Sequence, residues 1–202
     1  MSNFLKWLIR GKPQAPQSVA TPSTRRLGST TVSEVVSNAI INAIIYIESA
    51  GNPRAKARTS SATGLAQFIS STWLAMLRKY RPGIFSSRPT SALLDLRLDP
   101  ALSIEMLAKF TEENYRGLQK LAHQDPTPGD LYLAHFLGLA TASRLMKVQR
   151  DIQAESIVGA RAVAANRSIL KGKTCGEIRA WADTKMRLAA NKADDYVTKY
   201  LG

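Results

Sequence analysis

At 202 residues the chain holds one domain with its own core and scarcely two, and its 45% apolar content is that of a folded soluble protein. One cysteine, Cys175, excludes an internal disulfide, and no histidine stands near it in sequence, so it reads as a half-buried helix thiol. The net charge of +13 favours a polyanionic partner (nucleic acid, an anionic membrane face or an acidic wall polymer) without choosing among them.

Residues 1–30 read as a basic extension followed by a linker. The run Phe4, Leu5, Trp7, Leu8 and Ile9, broken by Lys6, is too short for a signal peptide or a membrane span. Pro, Ser, Thr and Gln then dominate from Pro13 to Thr30. The folded domain is expected over 31–202. Thr31 and Glu34 have capping-box spacing, and Val36, Ile40, Ile44 and Ile47 recur at helical intervals. Val35, Ile41 and Ile45 add other apolar faces, so this helix should be buried nearly all round. Gly51 and Pro53 end it.

A polar loop over 51–63 follows, with Arg54, Lys56 and Arg58 on alternate residues, most simply a solvated strip. Ser70 or Ser71 caps a short helix to Tyr80, which Pro82-Gly83 stops, and 84–99 reads as a long connection. Asp99-Pro100 opens a helix to about His123. Helices are expected over Asp130–Gly138 and Leu139–Val148, then a loop with one or two helical turns over 156–170. Thr174 and Glu177 form a second capping box for a last helix through Tyr196. No alternating strand exceeds a few residues. The expected class is all-α.

The chain shows no phosphate loop, no Cys/His metal spacing and no Gly-rich dinucleotide turn. His123 and His135 are too few for a metal site, so the expected chemistry uses carboxyl groups, with no cofactor and no metal. Glu48 is the candidate. It sits in the last turn of an apolar helix, at the negative end of the dipole, where both effects disfavour ionisation. A carboxylic acid held protonated near neutral pH suits general acid catalysis.

The residues around Glu48 carry a resemblance. Glu48-Ser49, Asn52-Pro53 and Ala55, then Ser61-Ala62-Thr63-Gly64-Leu65-Ala66-Gln67, resemble the two signature blocks of soluble lytic transglycosylases. That family shares the goose-type lysozyme fold and cleaves peptidoglycan glycan strands. Here the intervening loop is about one residue longer, Ser61 replaces a Gly and Ala66 replaces a Met. A third family block, A-Y-N-x-G, corresponds to Ala134-His135-Phe136-Leu137-Gly138. His135 and Phe136 stand in place of Tyr and Asn, so His135, or Tyr132 one turn earlier, is left to supply a substitute hydrogen bond. The resemblance implies Glu48 as sole catalytic acid and base, with Ser49, Gln67, Phe68, Tyr132 and His135 as candidate substrate-binding residues. Leu65, Phe68, Trp73 and Trp181 also read as ordinary core.

A two-carboxylate glycosidase needs a second acid about 5–9 Å away. Glu34, on the same helix, would lie about 21 Å along the axis. Asp95, Asp99, Asp125 and Asp130 fall at helix starts or breaks, where capping explains them. The resemblance implies the substrate-assisted alternative, in which the N-acetyl group stabilises C1 and a 1,6-anhydro end results. It further implies action on glycan strands at the wall; a monomer is expected, and the positive charge suits the anionic envelope. Delivery is expected without a signal peptide, as in a phage lysin or a virion- or secretion-associated enzyme. A hydrolytic muramidase of the same fold is the alternative. From another class come a basic helical nucleic-acid-binding protein and a non-catalytic virion structural protein. The first is disfavoured because no basic residue lies between Thr59 and Leu77, where a recognition helix would need one. The expectation is therefore no nucleic-acid partner.

Overall fold

The first helix, α1 (Asn38–Ser49), buries Ile41, Ala43, Ile44 and Ile45 together with Asn42. The computed structural model describes residues 36–202. The extension over 1–30 and the Thr31–Glu34 capping box lie outside the described residues. The helix starts later than that box implies, because Ser37 is extended (ψ 153°) and serves as its N-cap. Val36 is fully buried, but in the approach to the helix. At the other end Ala50 is left-handed (φ 50°) and donates its N–H to Tyr46 O. Gly51 follows at φ 76°, and a Cβ there would come within 2.3 Å of the Tyr196 ring. Glycine thus serves both the turn and the docking of the chain's last helix.

That last helix, α12 (Tyr196–Leu201), is tied to the middle of α1 by a buried amide. Asn42 Nδ2 donates to Asp195 Oδ1 at 3.0 Å, and Asn42 Oδ1 accepts from Val197 N at 3.0 Å. A polar residue inside α1 is tolerated because both its functions are used.

α2 (Ser70–Tyr80) is followed at once by α3 (Pro82–Ser86) and α4 (Thr90–Asp95), with a 3-10 turn over Leu96–Leu98. The expected open connection over 84–99 is therefore mostly helical. Pro82 does not merely stop α2; its fixed φ suits the first position of α3. Trp73 Nε1 donates to Leu93 O at 2.7 Å and fastens α4 to α2.

α5 (Pro100–Ala122) opens on Asp99, whose carboxylate accepts from Leu102 N as the sequence suggested. α6 (Pro128–Leu137) has a full capping box between Thr127 and Asp130, and α7 (Leu139–Lys147) follows Gly138. Where one or two turns were expected, three short helices occur: α8 (Ala154–Val158), α9 (Ala160–Ala165) and α10 (Arg167–Leu170). α11 (Cys175–Ala190) begins at the expected Thr174–Glu177 box. It ends before Tyr196, and residues 191–195 separate it from α12. Cys175 is fully buried, not half-buried.

α6 packs most extensively on α11 and also on α7 and α5, while α1 lies on α11, α5 and α12. The core joins Ile44 and Ile45 with Leu65, Trp73, Leu107 and Tyr132. Among the described residues only isolated β-bridges occur, and the architecture is all-α as expected.

Candidate active site

α1 delivers Glu48 to its own C-terminal turn, beside a cleft of about 360 Å³. The cleft is lined by Glu48, Gln67, Phe68, Phe110, Tyr132, His135, Phe136 and Asn166, and on the loop side by Ala57, Thr59, Ser60 and Ala62. Glu48 is partly exposed, so its acid faces the cleft while apolar neighbours surround the stem. Burial pushes its pKa from 4.5 up to about 7, opposed by the positive charge of Lys185 and by the Tyr132 hydroxyl. The Tyr132 hydroxyl is buried beside the acid yet closes no hydrogen bond of ordinary geometry. Its bonding capacity is left for the carboxyl or for a ligand.

The facing wall is a loop, and its shape is held by backbone pairing and two polar side chains, half-buried Gln67 and buried Arg97. Lys56 bridges Thr63, Thr63 bridges Phe68, and Ala57 N donates to Ala62 O at 3.0 Å. Gln67 takes a left-handed φ of 50° and donates Nε2 to Ala55 O (3.1 Å) and Gly64 O (2.9 Å). Gly64 has φ 83°, and a Cβ there would meet Arg97 O at 2.0 Å. Arg97, only 9% exposed, donates to Ser61 O at 2.6 Å, Phe68 O at 3.2 Å and Leu94 O at 2.9 Å. Desolvation lowers its pKa, with Asp95 opposing. The guanidinium acts as a staple across the loop, since its five donors can reach several carbonyls at once.

The third wall comes from α6. Tyr132 and Phe136, four residues apart, stack with centroids 6.1 Å apart and planes 3° from parallel, and Trp181 of α11 tilts against both. His135 meets Phe68 and Phe110 edge-on or tilted at 6.1 and 5.8 Å. Burial drives the His135 pKa down to about 4, with the Ala66 backbone opposing, and its Nδ1 is buried without a partner. The ring is therefore neutral at neutral pH.

Of the residues singled out from sequence, Glu48, Gln67, Phe68, Tyr132 and His135 converge on this cleft. Ser49 does not. It points its hydroxyl back to Ile45 O (3.2 Å) within α1, because adjacent residues on a helix face different directions. Trp181 is half-buried, bordering the aromatic wall, and not part of the innermost core. Three contributors had no sequence signal of their own: Arg97, Asn166 and Lys185. Lys185 of α11 lies over the Trp181 and Tyr132 rings at 5.5 and 5.9 Å from their centroids. Desolvation lowers its pKa and the charge of Glu48 raises it.

Among the described residues no other carboxylate lines the cleft. Asp99 caps α5, Asp125 accepts from Gln119 Nε2 at 2.9 Å, and Asp95 is exposed on α4. Asp130 is 1% exposed and paired with Arg179 at 2.8 Å, so it is bonded beyond its capping role. A second cavity of about 430 Å³ lies between α1 and α11, around Ile40, Ala43, Asp183 and Met186. Its one acid among the described residues, Asp183, is spent on Thr127 Oγ1 (2.6 Å) and Gly129 N (3.0 Å).

In comparison with known families, the model of the transglycosylase SLT domain matches residues 29–135, more than half of the chain. That span contains Glu48, the stapled loop and α6 up to His135. Phe136, Asn166, Trp181 and Lys185 complete the site from beyond it.

Proposed function

Because the chain belongs to the transglycosylase SLT family, and so is a lytic transglycosylase domain acting on peptidoglycan glycan strands, we propose that Glu48 alone serves as its acid and base. The observation that carries this reading is a carboxyl that stands alone in the cleft among the described residues, held near a pKa of 7 by burial. At neutral pH a large fraction is protonated and able to donate, and the same group is basic enough to take a proton back.

In the proposed sequence Glu48 gives its proton to the glycosidic oxygen between N-acetylmuramic acid and N-acetylglucosamine. The C1–O bond breaks while the acetamido oxygen of the same sugar bonds to C1. Glu48, now a carboxylate facing the charge of Lys185, takes the proton of the C6 hydroxyl. That oxygen displaces the acetamido group from C1 and closes a 1,6-anhydro ring. Attack from within the sugar needs no ordered water and gains from proximity. Substrate assistance also removes the need for the second carboxylate of ordinary glycosidases.

Tyr132 and His135, each with a buried polar atom lacking a partner, are the proposed hydrogen-bonding contacts to the sugar. Phe68 and Phe136 offer it apolar faces. Gln67 has spent its amide nitrogen on the loop, so only its carbonyl oxygen remains for substrate. We place the action at the wall, where the substrate lies, reached by release or delivery of a monomer.

Mass spectrometry of the digest tests the proposal. A disaccharide product lighter by one water than the hydrolytic one is expected. Reducing-end muramic acid as the main product would instead assign a hydrolytic muramidase.

A further inference from the structure

The loop wall of the cleft carries a feature that acid–base chemistry leaves unused. Arg54, Lys56 and Arg58 are all exposed, and the alternating Ala55 and Ala57 are turned partly inward. None of the three cations enters a salt bridge among the described residues. Their backbone is fixed: Ala55 O accepts from Gly64 N at 2.9 Å and from Gln67 Nε2 at 3.1 Å, while Lys56 bridges Thr63. Ala57 and Thr59 border the cleft itself, so the strip runs along its rim.

We propose that Arg54, Lys56 and Arg58 form a carboxylate-binding rim that receives the peptide stems of the glycan strand and makes stem-bearing strands the preferred substrate. Stems branch from the muramic acid and carry several free carboxylates, the charge that three exposed cations can pair with. A strand stripped of its stems keeps only one carboxylate per muramic acid and offers the rim far less negative charge. The strip thus reads the part of the polymer that the acid does not touch. Exposed cation–carboxylate contacts are individually weak, so only the three together give a measurable preference.

This inference rests on the proposed reading of the cleft, and its test separates the two. The full-length protein is assayed on soluble strands with intact stems and on strands freed of them by an amidase, reading kcat/KM on each. In R54Q/K56Q/R58Q the ratio of the two constants should fall about fivefold, through KM more than kcat. The variant K120Q/R144Q/K147Q removes the same charge from exposed positions that do not line the cleft, and should leave the ratio as it is. An unchanged ratio in the strip variant, or an equal fall in both variants, overturns the proposal, the latter by assigning the effect to net charge. Should the wild type cleave neither substrate, the catalytic reading fails by itself. The strip is then read by cosedimentation of the same proteins with the two kinds of strand, where loss of stem-bearing binding confined to the strip variant supports it and equal binding overturns it.

Discussion

Asp130, fully buried, and Glu48, half-buried at the cleft, are two carboxyl groups set at opposite kinds of helix end. Asp130 occupies the first turn of α6, where the dipole favours a negative group, and both its oxygens are bonded. Arg179 reaches them at 2.8 Å each, and Thr127 N and Oγ1 add bonds of 3.1 Å. Glu48 occupies the last turn of α1, where the dipole opposes charge, and has beside it a tyrosine hydroxyl that closes no bond and one lysine. The same functional group is thus a structural tie in one place and a reserve of proton affinity in the other. Reactivity here comes from leaving a carboxyl incompletely satisfied, and stability from satisfying one fully.

The sharpest way to break this contrast is to neutralise each acid in turn. Glu48→Gln keeps shape and removes the proton, and should lower turnover by about 10²–10⁴, measured by release of soluble fragments from purified murein. Asp130→Asn should do the reverse. It leaves Arg179 half-buried without its ion pair and should cost about 3 kcal/mol or more of stability, read from urea unfolding. Turnover per folded molecule should persist.

The pH dependence of stability sharpens the contrast further. The folded protein binds the Glu48 proton more tightly than the unfolded chain, so stability contributed by this group is lost as pH rises from about 4.5 to about 7. The full loss is about 3 kcal/mol. Glu48→Gln abolishes it, so the variant's unfolding midpoint should gain on wild type across that window. His135 acts in the other direction. Its folded pKa near 4 lies below the ordinary 6.5, so stability is lost as pH falls through that range. His135→Phe should flatten the acid side of the stability profile.

The smallest effect belongs to Lys185. Its charge holds the Glu48 pKa down, so Lys185→Met should raise it and carry the alkaline limb of the kcat/KM profile to higher pH. The rate change at pH 7 should stay within about tenfold, and Lys185→Arg should restore the wild-type profile.

What was legible in the sequence was local. The apolar repeat before Glu48, the Thr174–Glu177 box and the Asp99-Pro100 start are encoded within a few residues, and the structure forms each of them. The clustering of Gln67, Phe68, Tyr132 and His135 with Glu48 followed from motif blocks whose order survives the changed residues and the longer loop. The rest depends on contacts between distant parts of the chain. Arg97 reaches Ser61 across 36 residues, and Arg179 reaches Asp130 across 49. Lys185 arrives only because α11 packs on both α1 and α6. Ser49 went astray because a block read as a string ignores which way each helical side chain turns. The helices of 154–170 are only four to six residues long and too short to show a period.

The central claim is that burial holds Glu48 protonated into the neutral range, and its carboxyl can be observed directly. With ¹³C-labelled glutamate carboxyls, the resonance absent from Glu48→Gln identifies the group, and its chemical shift is followed against pH in the full-length protein. A midpoint of about 7 is expected. A midpoint near the ordinary 4.5 would contradict the account, because Glu48 would then be a carboxylate at working pH with no proton to give.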